Sequence, residues 1–271
     1  MSIEAISLNR GEIVRKEAIT GTVPGWDAAG TVLVAAADGS GPPVGTRVVS
    51  MYKMGGFAQR RAVDSDRLAV IPADVSYTDA AALPVAGLTG LGAVRAVGPI
   101  IGHRVLVIGA SGGVGRFAVQ FAHKAGAHVI ASVGSVERGK GLVELGADEV
   151  VVDLDRVSSG LYAALDTVGG PALITAWNRL QPGGLLISIG RAAREDAVFE
   201  AYDTPMRDNL RLLCYNHVGP IVEDLSYLLD LVSRNELDTQ IDWTGPWERV
   251  SEAIGLLKER KIRGKAVLSV S

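Results

Sequence analysis

The chain has 271 residues, 48% of them hydrophobic and 21% charged, with a formal net charge of −3. That length suggests two domains, and that balance a packed core rather than a disordered polymer. There is no basic stripe interleaved with aromatics, no basic-then-apolar leader and no uncharged apolar run long enough for a bilayer, so nucleic-acid and membrane functions are excluded and a cytoplasmic protein is expected.

Residues 1–72 read as β-rich. Thr31-Val32-Leu33-Val34 and Arg47-Val48-Val49-Ser50 are short strands, split by the turn Gly39-Ser40-Gly41-Pro42-Pro43. Phe57 to Val63 and Leu68-Ala69-Val70-Ile71 continue the pattern toward a small barrel. Thr78 caps a helix through Ala80-Ala81-Ala82-Leu83, which Pro84 disturbs, and helix resumes through Leu88-Thr89-Gly90-Leu91.

The most informative stretch follows. Val105-Leu106-Val107-Ile108 is an unbroken apolar β-favouring run, suited to a strand buried on both faces. Gly109, Gly112, Gly113 and Gly115 come next, and then Val114, Phe117, Ala118, Phe121 and Ala122 share one helix face. Gly126 closes that helix and Val129-Ile130 begins a second buried strand, which makes a parallel βαβ unit. A diphosphate reaches the amide groups at a helix N-terminus only where no Cβ intervenes, and the helix dipole then favours its charge. The spacing Gly109-x-x-Gly112-x-x-Gly115 is not the literal G-x-G-x-x-G, and tight turns use glycine for other reasons. The strand before and the helix after nevertheless favour a dinucleotide, with Gly109, Ser111, Gly112, Gly113, Val114 and Gly115 as its contacts.

The end of the second strand addresses which dinucleotide. NAD-binding units usually carry Asp or Glu there for the ribose 2′-OH. Here the strand ends Ala131-Ser132-Val133-Gly134-Ser135, with Arg138 and Lys140 beyond it. Ser135 and Arg138 could hydrogen-bond and neutralise a 2′-phosphate, which favours NADP(H), with Ser132 and Gly134 as neighbouring contacts. The plainer alternative is a solvated charge run opening a helix.

The α/β alternation continues. Lys140 to Leu145 reads as helix stopped by Gly146, Glu149-Val150-Val151-Val152 as strand, and Leu165-Asp166-Thr167-Val168 as strand ending at Gly169-Gly170. Leu173 to Leu180 looks helical, Pro182-Gly183-Gly184 turns, and Leu185 to Gly190 is another buried strand whose Gly190 joins the cofactor contacts. Together these imply a doubly wound sheet. Cys214, the single cysteine, allows neither an internal disulfide nor a cysteine-rich zinc site, and its apolar neighbours suggest a core thiol. Two amphipathic helices follow: Leu225, Leu228, Leu229 and Val232 line one, Trp247, Val250, Ile254 and Leu257 the other, whose first turn suits Pro246. Gly264 then precedes a last strand, Lys265 to Val270.

With these residues in view, the chain resembles a zinc-independent medium-chain dehydrogenase/reductase of the quinone oxidoreductase and enoyl reductase branch. The resemblance runs through Ile6-Ser7-Leu8-Asn9, Pro24-Gly25-Trp26-Asp27-Ala28-Ala29-Gly30, Val44-Gly45-Thr46-Arg47-Val48 and Ala81 to Thr89. It continues through Gly109 to Gly115, Leu180-Gln181-Pro182-Gly183-Gly184 and Arg263 to Leu268. It implies a Rossmann-type doubly wound parallel sheet over 85–216, with a second, GroES-like β-rich domain from 1–84 and 217–271. It further implies NADPH-dependent reduction of an activated C=C (an enone or enoyl thioester) or a quinone, and a homodimer. Asn9 and Thr89 are the positions it assigns beside the nicotinamide and its ribose; their alternative is a turn residue and a helix residue that merely cap backbone groups.

Three departures from the family pattern stand out. Zinc-dependent members carry His-Glu where this chain has Trp26-Asp27, and His103, His123, His128 and His217 are scattered and read as ordinary residues. A leading β-hairpin of the family has no counterpart before Ser2, so the β-rich domain is expected to be N-terminally shortened. Some enoyl reductases place a tyrosine proton donor soon after the asparagine, but Arg10 to Arg15 and Glu17 to Thr22 hold none. Tyr52 is then the nearest candidate hydroxyl, or a surface turn residue. A tailoring enoyl reductase, or a redox-silent NADPH-binding partner protein, are the competing functions.

Overall fold

The computed structural model describes residues 1–14, 21–200, 209–217 and 219–270. The tyrosine-free stretch after Asn9 therefore lies partly outside the described residues. The chain divides into two compact units, Met1–Leu88 with Gly219–Ser271, and Thr89–Val218.

The first unit opens with β1 (Ser2–Leu8), α1 (Arg10–Val14), β2 (Asp27–Thr31), β3 (Arg47–Met51) and β4 (Leu68–Val70), then α2 (Tyr77–Ala82) and α3 (Pro84–Val97), within which the division falls. The second unit holds β5 (Arg104–Ile108), α4 (Gly113–Lys124), β6 (His128–Ser132), β7 (Glu149–Val151), β8 (Leu161–Asp166), α5 (Pro171–Trp177), β9 (Leu180–Ser188) and β10 (Arg211–Cys214). The chain then completes the first unit with α6 (Ile221–Ser233), β11 (Ile241–Pro246), α7 (Val250–Lys258) and β12 (Lys265–Ser269).

In the first unit the strands form one sheet in the order β11-β12-β1-β2-β3-β4. β1 is central, antiparallel to both β2 and β12. Its inward residues Ile3, Ile6 and Leu8 join Ala28, Ala266, Leu268 and Ala253 in the core. The strand expected at Thr31 to Val34 lies earlier, at Asp27–Thr31, and Val34 is 81% exposed. β-propensity misleads here, because the position needs small residues: a Cβ on Gly30 would strike the Ser2 carbonyl of the neighbouring strand. Phe57 to Val63 supplies only an isolated bridge, Ser2 to Arg60. Ser76, not Thr78, caps α2: its Oγ accepts from the Asp79 N–H at 3.0 Å and donates to that carboxylate at 2.5 Å. Pro246 ends β11 rather than opening α7.

The second unit is a fully parallel sheet in the order β10-β9-β8-β5-β6-β7. This is the doubly wound Rossmann arrangement, and its strand order reverses between β5 and β8, where ligands bind outside the carboxyl ends of the strands. Val105 to Ile108 is buried throughout, as a strand covered on both faces must be. Trp177 and Leu173 of α5 pack on Leu106, Ile130, Leu161 and Leu186 below it. Two details differ from expectation. Lys140 to Leu145 forms turns rather than helix, since Gly139 and Gly141 interrupt it and Gly141 takes φ +79°. Cys214 is exposed, because β10 is an edge strand whose four residues all face solvent, Leu212 and Leu213 included.

Candidate functional site

The glycine turn between β5 and α4 is built by close approach. Gly109 takes φ +75°, and a Cβ there would meet the Thr167 hydroxyl. A Cβ on Gly115 would collide with the Gly109 carbonyl and the Ala110 backbone, so helix and turn pack at a distance only glycine permits. Gly112 is the N-cap of α4 and offers no side chain to the helix. The amides of Gly113, Val114 and Gly115 thus form the uncapped N-terminus of a 12-residue helix, a ready anion site. A diphosphate fits that cradle.

The residues expected around the turn are partly brought together. Arg138, 27 positions downstream of Ser111, donates from Nε to the Ser111 Oγ at 3.0 Å. Its guanidinium therefore lies against the glycine turn, within the short charged helical turn Glu137–Gly139. Lys140 instead pairs with Glu137 at 2.7 Å, both well exposed. Ser132 is buried at the end of β6, Gly134 is open to solvent, and the Ser135 carbonyl accepts from the Arg138 N–H in a short turn. Gly190 approaches Thr167 so closely that a Cβ would strike its carbonyl. Asp166 ends β8 and accepts from the Val168 and Gly169 amides at 2.8 and 2.9 Å, closing the second loop at the switch point. Burial raises its pKa, against the pull of those amides.

The first unit holds a different kind of site. Asn9 stands at the N-cap of α1, where Glu12 reaches back to accept the Asn9 N–H at 3.0 Å. The Asn9 side chain makes no cap bond. Its Oδ1 accepts from Lys265 Nζ at 2.8 Å, and its Nδ2 donates to Asp27 Oδ2 at 2.8 Å. Lys265 also donates to the Leu8 carbonyl at 3.3 Å and stands 3.6 Å from Asp27 Oδ2. Asp27 Oδ1 accepts the Val85 N–H at 3.1 Å, in the first turn of α3. Arg61 is buried alongside, donating to the Trp26 carbonyl and the Ser50 hydroxyl, with its Nε and Nη2 unpartnered. Asp27 and Lys265 are 0% and 2% exposed.

Two carboxyls and two cations thus share one core. Burial raises the Asp27 pKa and lowers that of Lys265, while their mutual attraction opposes both shifts. Both Asp27 oxygens accept N–H donors, which supports its ionised form. Burial, reinforced by the negative charge of Asp27, pushes the Glu12 carboxyl up to about 7. Arg61 is lowered by burial to about 10 and stays charged at neutral pH.

Thr89 is half-buried on α3, and its hydroxyl has no hydrogen-bond partner among the described residues. Tyr52 follows β3, 37% exposed, with its ring 5.4 Å from the Arg61 guanidinium rather than bonded to Asn9. Sequence reasoning gave no role to Asp27, Lys265, Glu12 or Arg61. One local signal was legible, the Asn9-x-x-Glu12 capping spacing. A lysine opening an otherwise apolar final strand was the other.

Known proteins combine an α/β unit of this kind with a β-rich one. A model of the zinc-binding dehydrogenase family matches residues 145–268. The mouse mitochondrial NAD(P)H oxidoreductase RTN4IP1 is 29% identical over 253 residues, covering 82% of this chain and 63% of the relative. The chain therefore spans less than two thirds of that relative's length. Among solved structures, mycobacterial Rv1454c complexed with NADPH superposes with a TM-score of 0.89 at 26% identity, over 99% of this chain and 90% of that one. Escherichia coli quinone oxidoreductase complexed with NADPH gives 0.88 at 21% identity, over 99% and 90%. Over these lengths the chain is similar to proteins of the medium-chain dehydrogenase/reductase superfamily. The zinc in the family's description does not fit this site: among the described residues no three His, Cys, Asp or Glu side chains are placed to hold a metal, and Asp27 is committed to Asn9 and Val85.

Proposed function

We propose that this protein reduces an activated C=C (an enone or enoyl thioester) or a quinone with NADPH, without zinc. The observation that carries this is the uncapped α4 N-terminus with Arg138 held against its glycine turn. Gly112, Gly113 and Val114 would present amides to the diphosphate, and Arg138 with Ser135 would neutralise a 2′-phosphate. The nicotinamide supplies a hydride equivalent when bound. Thr89 contributes a hydroxyl with no hydrogen-bond partner among the described residues, and Asn9 is the side chain we place beside the nicotinamide. Tyr52 is the hydroxyl we assign to proton delivery, with water as the competing source.

The exposed apolar edge strand β10 supports a homodimer paired through it. Among the described residues no helix is long and apolar enough to cross a membrane, and we place the protein in the cytoplasm, unlike the mouse relative named mitochondrial. Calorimetry with NADPH, followed by stopped-flow mixing with a panel of quinones, enones and enoyl thioesters, tests the reading. Binding with turnover of any of them is expected. Binding without oxidation would replace it with the redox-silent partner role, and no binding would remove it.

A further inference from the structure

The carboxyl edge of the second unit's sheet carries a polar pair that neither the glycine turn nor the Asn9 cluster uses. Tyr215 directly follows β10, and its N–H donates to the Ser188 carbonyl at the end of β9, at 2.8 Å. Its hydroxyl stands 3.3 Å from Nδ1 of His217, within hydrogen-bond reach. Both side chains rest on α3: a Cβ on Gly92 would strike the Tyr215 hydroxyl and come within 3.1 Å of His217 Nδ1. Resting on the functional reading above, we propose that Tyr215 closes the nicotinamide end of the dinucleotide groove, its hydroxyl bonding the carboxamide of the nicotinamide and His217 orienting that hydroxyl.

Helix α3 fixes the direction of that groove. Successive residues of an α-helix turn by about 100°, so Gly90 lies about 100° to one side of Thr89 and Gly92 about 60° to the other. On the Gly90 side α3 meets the first turns of α4, where a Cβ would come within 3.0 Å of Phe117 and 3.3 Å of the Val114 carbonyl. On the Gly92 side stand Tyr215 and His217. Thr89 therefore projects between the α4 N-terminus, where the diphosphate is held, and the tyrosine. Burial follows the same line. Leu88, Gly90, Leu91 and Ala93 are buried, whereas Val114, Thr89, Gly92, Ile189, Tyr215 and His217 are partly open. A dinucleotide that leaves the cradle past Thr89 meets Tyr215 next, at the strand ends where such ligands bind. The chemistry suits a carboxamide better than plain packing. Phenylalanine would fill the same space, yet a side chain is omitted at Gly92 so that a hydroxyl can approach the helix. A phenol oxygen takes one hydrogen bond as donor and two as acceptor, and a carboxamide offers both a carbonyl and an NH2. An imidazole on that hydroxyl limits the directions in which it can turn.

Calorimetry of the full chain tests this with NADPH, NADH and 2′-phospho-ADP-ribose, which keeps the diphosphate and the 2′-phosphate but has no nicotinamide. Tyr215→Phe keeps the ring and removes one neutral hydrogen bond, so NADPH and NADH should each bind about threefold to tenfold more weakly. Affinity for 2′-phospho-ADP-ribose should stay within about twofold of the wild-type value, because that probe makes no such bond. His217→Leu should weaken NADPH in the wild-type background and add nothing in the Tyr215→Phe background, since it acts through the hydroxyl; full additivity would overturn the orienting role. Equal losses for NADPH and 2′-phospho-ADP-ribose would make Tyr215 a support for the groove as a whole, and an unchanged NADPH affinity would mean that no contact is made. Either result overturns the proposal. Circular dichroism screens the variants for folding, and Tyr215→Met replaces Tyr215→Phe should the latter not fold. If the wild type binds none of the three probes, the functional reading itself fails, whereas uniform loss on all three leaves that reading standing and removes this assignment alone.

Discussion

The glycine turn of the second unit and the polar cluster of the first order their N–H groups by opposite means. In the turn they are main-chain amides, left accessible by four glycines, Gly109, Gly112, Gly113 and Gly115, within seven consecutive residues. In the cluster the ordered group is the Asn9 side-chain amide, bonded by Lys265, which lies 256 positions away in the chain. A backbone site depends on shape and tolerates no added atom; a side-chain site depends on charge balance and tolerates no lost partner. The two should therefore break under different substitutions.

The largest effect is expected at Asp27. Asp27→Leu strands Lys265 and the Asn9 amide in the core, and removing one member of a buried pair costs about 3–5 kcal/mol. Urea denaturation of the single variant should show that loss, and Asp27→Leu/Lys265→Met should recover most of it, because no unpaired charge remains. A loss equal in single and double variants would mean that packing, not charge balance, holds the cluster.

Next comes Glu12. Its folded pKa of about 7 lies above its ordinary 4.5, so the native state holds the proton more tightly than the unfolded one. The contribution of this group to stability is therefore fully present below about 4.5 and is lost as pH rises through about 7. At ~1.4 kcal/mol for each pH unit of displacement the loss is on the order of 3 kcal/mol. Glu12→Gln should reduce that slope in denaturation curves between pH 5 and pH 8, leaving the slope of the same sign from Asp27, whose pKa is also raised. An unchanged slope would show that Glu12 ionises freely.

The turn breaks differently. Gly115→Ala adds a single methyl where the Gly109 carbonyl and the Ala110 backbone already stand, and neither can yield as a flexible side chain would. Overpacking of this kind costs about 2 kcal/mol. Because the strain falls on the amides themselves, NADPH affinity by calorimetry should drop more than the melting temperature suggests.

The contrast also explains how much could be read from the sequence. The βαβ unit was legible because strand, glycines and helix are contiguous, and local periodicity reports them directly. β2 was misplaced and β10 and β11 were missed, since Asp27-Ala28-Ala29-Gly30-Thr31 has little β-propensity and its strand is specified by the neighbours on either side. Cys214 was read as buried from apolar neighbours that turn out to share its exposure on an edge strand. The capping role of Glu12 lies three residues from Asn9 and follows from spacing. The bond from Lys265 to Asn9 does not, because nothing in a one-dimensional pattern links the first and last strands of the sheet, which lie side by side.

At Arg138 a side chain is bonded to the glycine turn itself, and the effect expected there is confined to nucleotide binding. Arg138→Ala removes the Nε bond to Ser111 and the positive charge that it holds against the turn. A charge-assisted bond to a 2′-phosphate contributes about 1.5–3 kcal/mol, so NADPH should bind roughly tenfold to a hundredfold more weakly. NADH lacks that phosphate and should lose only what the Ser111 contact contributes to the shape of the turn. Titrating both nucleotides into both proteins separates these parts. Equal loss for the two would make Arg138 a support for the glycine turn and take away the case for NADP(H) preference, while leaving the diphosphate cradle as argued.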